Sequence, residues 1–370
     1  MKRFLQIMFV FTLVMALSIS TANVSARETT TGGFDSLQKY PHPETFSPDG
    51  KTVTITATKA ESQATVKYWT KNRLEAAKPL PFPSDIAASV STEISLEGQG
   101  IPEFTSGILP NPAANQFAKK TYPAAWKDTK DTFNFPMTFD DYGTKAVFTG
   151  YYTNYYANMW KYYPYATVGR LYITGGGYCT AAVISSYTIV TAAHCVYDTV
   201  HNKWMTGWAF VPAYRNGMGP YGVFGWYNAK VLTSWMSASG TLIKADVAVI
   251  QLQTDSYGYE VADYTGSLGR SQNFSAIQNV TTEGYPSNLA SGVYSYTCAA
   301  ETFVGGVDIL GMGCNMTFGS SGGPWIKNFA PNSGGYVNSV VSGGTVGTYT
   351  FYGPRFTSSN IGVLCTSFCY

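Results

Sequence analysis

Only three histidines occur in the 370 residues: His42, His194 and His201. That scarcity narrows acid–base chemistry sharply. His194 stands in Thr191-Ala192-Ala193-His194-Cys195, directly after the strand-like Thr188-Ile189-Val190. Ser321 stands in Gly319-Ser320-Ser321-Gly322-Gly323-Pro324. A serine hydroxyl is a weak nucleophile until a neighbouring base takes its proton. The base needs a third group, usually a buried carboxylate, to hold its tautomer. Gly319 to Gly323 also fits the G-x-S-x-G turn of α/β-hydrolases, where the chain order is Ser, acid, His. No histidine follows residue 201, so that arrangement is excluded. The order His194, acid, Ser321 remains open.

In that order the aspartates are Asp198, Asp246, Asp255, Asp263 and Asp308. Asp246 alone opens an apolar strand, Asp246-Val247-Ala248-Val249-Ile250. A carboxylate there needs a buried partner, and an imidazole N–H is a suitable one. Asp198 is the rival, close to His194 in sequence but in a polar, turn-like stretch. His42 and His201 read as exposed polar residues.

The elements that must position these groups read as short strands. Candidates are 168–173, 181–184, 188–190, 209–211, 247–252, 324–326, 337–342 and 349–351, separated by Gly- and Asn-rich turns. Such punctuation suggests a sandwich or barrel. A short helical period follows Ser358. Composition changes near residue 150: residues 27–150 hold no cysteine and are rich in Lys, Thr, Pro and Ala. There, Ser47-Pro48-Asp49-Gly50 predicts a turn before a strand at 52–57. Residues 68–77 predict one short helix, ended by Pro79, Pro81 and Pro83. The tyrosine-dense passage 151–165 fits either an aromatic strand pair or a packed linker. Lys2 and Arg3, the apolar run 4–19 and Val24-Ser25-Ala26 form a secretory signal peptide pattern over residues 1–26.

The three blocks Thr-Ala-Ala-His-Cys, Asp-Val-Ala-Val-Ile and Gly-Ser-Ser-Gly-Gly-Pro, in this order, resemble chymotrypsin-like serine endopeptidases. The likeness is nearest to the secreted bacterial branch that includes the glutamyl endopeptidases. Phe210-Val211-Pro212-Ala213-Tyr214-Arg215, with Pro220-Tyr221-Gly222, also looks like that branch. The resemblance spans about residues 160–357. It implies an all-β, double β-barrel catalytic domain over 151–370, preceded by the signal peptide and a pro-region over 27–150. It implies His194 as general base, Asp246 as its orienting acid and Ser321 as nucleophile. The backbone N–H groups of Gly319 and Ser321 would form the oxyanion hole, with Gly319 suited to φ > 0. Cys179 and Cys195 would match the family's bridge beside the histidine.

Two departures bear on activation and specificity. Trypsin carries an aspartate before the nucleophile, which pairs with a new N-terminus; here Ser320 carries no charge. Activation is therefore expected as removal of a blocking pro-region, with Lys161–Tyr162 one basic candidate for the cut. By resemblance, the walls of the pocket for the residue before the scissile bond (P1) are 315–318, 342–344 and 353–356. Candidate substrate-binding residues are Asn315, Phe318, Ser342, Gly344 and Arg355. Asn315 replaces trypsin's aspartate, so a basic P1 is not expected. Val341 replaces the key histidine of glutamyl endopeptidases. Arg355 offers an acidic P1 a bidentate partner, against the plainer reading of a surface arginine with a small or apolar P1.

Composition sets the remaining limits. Lys and Arg number 24 against 22 acidic residues, a net charge of +2, which gives no nucleic-acid partner. Only 12% of residues are charged while 45% are hydrophobic, which excludes a disordered chain. No later run reaches about 20 apolar residues, so no membrane association is expected after signal removal. The six cysteines suggest disulfides between sequence neighbours: Cys179 with Cys195, Cys298 with Cys314, Cys365 with Cys369. Other connectivities stay open. No metal or organic cofactor is expected, and no acidic run supports calcium. Protein or peptide substrates and a monomer are expected. The sequons at Asn273, Asn279 and Asn315 are read as chance. The rival reading is a catalytically silent homologue that binds protein or cell-wall material.

Overall fold

A computed structural model describes residues 42–83, 96, 98, 100–128, 136–139, 147–153, 158–175, 177–238, 242–345 and 347–370. The signal-peptide segment lies outside the described residues. The chain is mostly sheet, with short helices. Six strands close on themselves: Phe224–Leu232, Ala209–Pro212, Val168–Ile173, Gly177–Val183, Thr188–Thr191 and Ala248–Leu252, the last pairing back onto the first. This is a closed six-stranded barrel, so these strands leave no open edge among themselves. Val168–Ile173 and Thr188–Thr191 are buried at every position, which is why they read as apolar runs. The expected strands at 168–173, 181–184, 188–190, 209–211 and 247–252 all fall here.

The second half is built from an eight-stranded sheet, including Asn279–Gly284, Tyr296–Glu301, Pro324–Ala330 and Gly334–Val340, and a four-stranded sheet containing Ile309–Gly313, Gly343–Thr345 and Thr350–Pro354. Its core gathers Cys298, Leu310, Met312, Cys314, Trp325 and Phe351. Several of these strands had no sequence signal. Asn-Val-Thr-Thr-Glu-Gly lacks an alternating apolar face, yet Thr282 and Glu283 are buried. The nine-residue Phe224–Leu232 mixes Asn and Lys into its run and carries a register shift, which hides its period.

The N-terminal part is woven into both halves. Thr52–Thr56 pairs with Phe224–Leu232 on the outside of the barrel closure, and Glu103–Thr105 pairs with Gly269–Gln272. Phe148–Tyr152 pairs with Tyr296–Glu301. The composition change near residue 150 falls inside that strand. The tyrosine-dense passage continues from it into the 3₁₀ turns Met159–Lys161 and Tyr165–Thr167.

Two helices form here: Lys59–Tyr68, which was not expected, and Lys71–Ala76, which lies inside the helix expected over 68–77. Thr58 caps the first by accepting from Glu61 N–H, and the chain turns extended at Thr70 between them. All three disulfides join sequence neighbours, as expected: Cys179–Cys195, Cys298–Cys314 and Cys365–Cys369.

Candidate active site

His194 sits on the 3₁₀ turn Ala193–Cys195, immediately after strand Thr188–Thr191. Two contacts fix that turn, and a third fixes the chain just after it. The Cys179–Cys195 bridge ties it to strand Gly177–Val183. Trp208 Nε1 donates to Cys195 O at 3.0 Å. Trp235 Nε1 donates to Tyr197 O at 3.1 Å. Cys179 and Cys195 sulfurs and the His194 ring lie within metal-site distance of one another. Joined in a disulfide, these sulfurs are not the thiolates that a metal requires.

Asp246 follows the 3₁₀ turn Ile243–Ala245 and precedes strand Ala248–Leu252, which pairs with the strand leading to His194. That pairing brings the carboxylate to the histidine. Asp246 is fully buried and accepts twice from His194: Oδ1 from the backbone N–H at 2.8 Å, and Oδ2 paired with Nδ1 at 2.8 Å. The Ser342 hydroxyl donates to Asp246 Oδ2 as well. A buried carboxylate so supplied with donors is satisfied and fixed in place. The rival Asp198 instead pairs with His201 Nδ1 at 2.6 Å and caps the backbone N–H groups of Val200 and His201. His201 is exposed, as expected. His42 is not: it is mostly buried, 2.8 Å from the buried Glu61, because that carboxylate needs a partner.

Ser321 is fully buried between two glycines of positive φ, Gly319 at +91° and Gly322 at +81°. A Cβ at Gly322 would meet Thr191 Oγ1 at 2.1 Å and Thr180 O at 2.3 Å. The loop of Ser321 is thus pressed onto the strand that leads to His194 and onto its neighbour Gly177–Val183. Thr180 fastens it: its N–H donates to Ser321 O at 2.8 Å and its hydroxyl to Gly319 O at 2.9 Å. Gly322 N–H donates to Val341 O at 2.7 Å, next to Ser342. His194 Nε2 and Ser321 Oγ are both buried and make no hydrogen bond. Ser320 turns its hydroxyl to Thr317 O at 2.6 Å.

A cavity of about 230 Å³ lies beside this loop, lined by Asn315, Met316, Thr317, Gly344, Phe351 and Phe82, among others. Two expected walls, 315–318 and 342–344, contribute to it. The third wall comes from Tyr349, Thr350 and Phe351 rather than from 353–356. Asn288 braces the first wall, donating to Asn315 O at 2.8 Å and accepting from the Thr317 hydroxyl at 2.8 Å.

Arg355 is placed elsewhere. It is 3% exposed, and its guanidinium donates to the carbonyls of Phe274 and Leu96. Ser342 is turned to Asp246 rather than to the cavity, and Phe318 stands exposed beside Phe82.

A segment with no recognisable sequence motif crosses this site. Lys78–Pro79 pairs with Gly177–Tyr178, and Leu80 N–H donates to Tyr178 O at 3.0 Å. Gly319 N–H donates to Leu80 O at 3.3 Å. The N–H expected to stabilise an oxyanion is therefore already aimed at a peptide carbonyl. The sequence also gave no signal for Thr180.

Beneath the loop lies Glu283, whose carbonyl a Cβ at Gly323 would meet at 2.5 Å. Its carboxyl is fully buried with no cation beside it among the described residues, and burial pushes its pKa up to about 8 despite hydrogen bonds from Ser295 and Thr153.

The Trypsin family model matches residues 160–358. A glutamyl endopeptidase of Bacillus licheniformis is 30% identical over 133 residues, which is 35% of this chain and 39% of that protein. The chain thus matches well under half the length of that curated relative. The solved structure of the protease Anisep from Arthrobacter nicotinovorans is 30% identical and covers 55% of this chain and 95% of its own, with a TM-score of 0.50.

Proposed function

Because the chain belongs to the trypsin family of serine proteases, we propose that it is a secreted serine endopeptidase made as a precursor. The observation that carries this reading is one connected arrangement. Ser342 and His194 both bind Asp246, and Gly319 N–H points at a peptide carbonyl beside Ser321. Ser321 Oγ attacks the scissile carbonyl while His194 Nε2 takes its proton. Asp246 holds Nδ1–H and stabilises the imidazolium. The N–H groups of Gly319 and Ser321 take up the negative charge on the carbonyl oxygen. His194 returns the proton to the leaving amine, and water then releases the acyl group by the same path. That His194 Nε2 and Ser321 Oγ each stand without a hydrogen bond is compatible with this, since catalytic hydrogen bonds often form only with substrate bound.

The precursor reading rests on the segment at residues 78–82, which lies across the nucleophile loop and occupies the Gly319 N–H. Residues 27–150 then act as a pro-region that fills the cleft until removed. Lys161 is an unsuitable cut: it is fully buried, with Nζ 2.9 Å from both Trp126 O and Asp128 Oδ1. N-terminal sequencing of the active secreted form tests the idea, and a start at residue 27 sinks it.

A fluorophosphonate probe tests the nucleophile. The processed protein is expected to label at Ser321 and the Ser321→Ala protein not at all. An unlabelled processed protein would instead favour a silent homologue.

A further inference from the structure

We infer that the pocket beside Ser321 takes large apolar side chains, aromatic ones foremost, and that Phe82 is its intramolecular ligand. This rests on the reading of Ser321 as nucleophile and names the substrate class of the same site.

The segment Lys78-Pro79-Leu80-Pro81-Phe82-Pro83 leaves strand Gly177–Val183 and passes the nucleophile loop, where Leu80 O accepts from Gly319 N–H. Two residues on, the Phe82 ring stands edge-on to Phe318 at 5.4 Å and to Phe351 at 5.8 Å. It forms one wall of the 230 Å³ cavity. Tilted aromatic pairs at such distances are attractive beyond their buried area.

The chemistry of the cavity agrees with the aromatic side chain placed against it. No charged side chain lines it among the described residues; its polar groups are the neutral Asn288, Asn315, Thr317, Tyr349 and Thr350. A carboxylate or ammonium entering would lose water without gaining an ionic partner. Arg355, the cation that would have served an acidic side chain, is spent on two backbone carbonyls.

The same geometry explains how the segment lies in the cleft uncut. In a productive complex the carbonyl in the oxyanion hole and the side chain in the pocket belong to one residue. Here they belong to Leu80 and Phe82, two residues apart. The bond after Leu80 is also to a proline, whose ring occupies the leaving nitrogen. The segment lends its aromatic side chain to the pocket without presenting a scissile bond.

Two measurements test this. Hydrogen exchange on the full-length Ser321→Ala chain reads the amides of Leu80 and Gly319, which needs no activity. Phe82→Tyr should keep their protection, while Phe82→Asp should speed exchange at least tenfold. Equal protection in Phe82→Asp overturns the inference. The enzyme as secreted and processed is then offered peptides differing only at P1. Phe, Tyr or Leu should exceed Glu and Lys at least tenfold in kcat/KM. A preference for Glu, Asp, Lys or Arg overturns the pocket assignment but leaves the endopeptidase reading intact. If the processed protein neither cuts nor labels with a fluorophosphonate, the endopeptidase reading fails, and the exchange result alone judges the pocket.

Discussion

Replacing Glu283 by Gln should make the protein more stable, and increasingly so as pH rises. Glu283 is fully buried, faces no cation among the described residues, and holds its proton up to about pH 8. In the unfolded chain the same carboxyl titrates near its ordinary 4.5. The folded state therefore binds the proton more tightly, and the group's contribution is fully present below pH 4.5. It is lost as pH climbs toward 8, where the folded carboxyl must also ionise. Each pH unit of separation is worth about 1.4 kcal/mol, so the interval amounts to roughly 5 kcal/mol at its limit. Glutamine cannot ionise and keeps an acceptor for the Thr153 hydroxyl, which donates to Glu283 at 3.0 Å. Urea unfolding of Glu283→Gln and its parent, both with Ser321→Ala to prevent self-digestion, should agree near pH 4. By pH 8 to 9 the Gln protein should lead by several kcal/mol. A stability difference independent of pH would refute the reasoning.

Other outcomes follow from the site. Asp246→Asn should lower kcat by about 10⁴-fold at neutral pH, as loss of the orienting carboxylate does in such triads, whereas Asp198→Asn, which touches only His201 and its own turn, should leave kcat unchanged. Gly319→Ala should cost about 10²–10³-fold in kcat, because φ is +91° there and the new Cβ would meet Tyr178 at 2.6 Å and Tyr285 O at 2.7 Å, turning the N–H away. Arg355→Ala should destabilise the fold by about 2–4 kcal/mol in thermal or urea unfolding, since it strips the partner from buried carbonyls, yet leave the P1 profile unaltered.

What the sequence revealed depended on how local each constraint is. The pairing of His194 with Asp246 was legible because histidines are scarce and each residue sits in a short block of characteristic neighbours, and Ser321 stood out as the serine whose block and chain order fit them. Strands such as Val168–Ile173 were legible because both faces are buried. Phe224–Leu232 and Asn279–Gly284 were not, because their partners, rather than their composition, make them strands. Arg355 looked like a pocket residue from its neighbours, but its partners Phe274 and Leu96 lie 81 and 259 positions away. Phe82 was invisible for the same reason. Flanked by prolines it reads only as the end of a helix, while Phe318 and Phe351, which give it meaning, are brought to it by the fold. Ser342 was assigned to substrate, yet its hydroxyl faces Asp246 because strand Gly334–Val340 ends beside that carboxylate.

The most direct test of the account is digestion of a diverse peptide library by the processed, secreted protein, with Ser321→Ala in parallel and products read by mass spectrometry. The account predicts internal cuts that vanish in the variant. Cuts that persist in Ser321→Ala, or their absence from a processed protein free of residues 78–82, would contradict it.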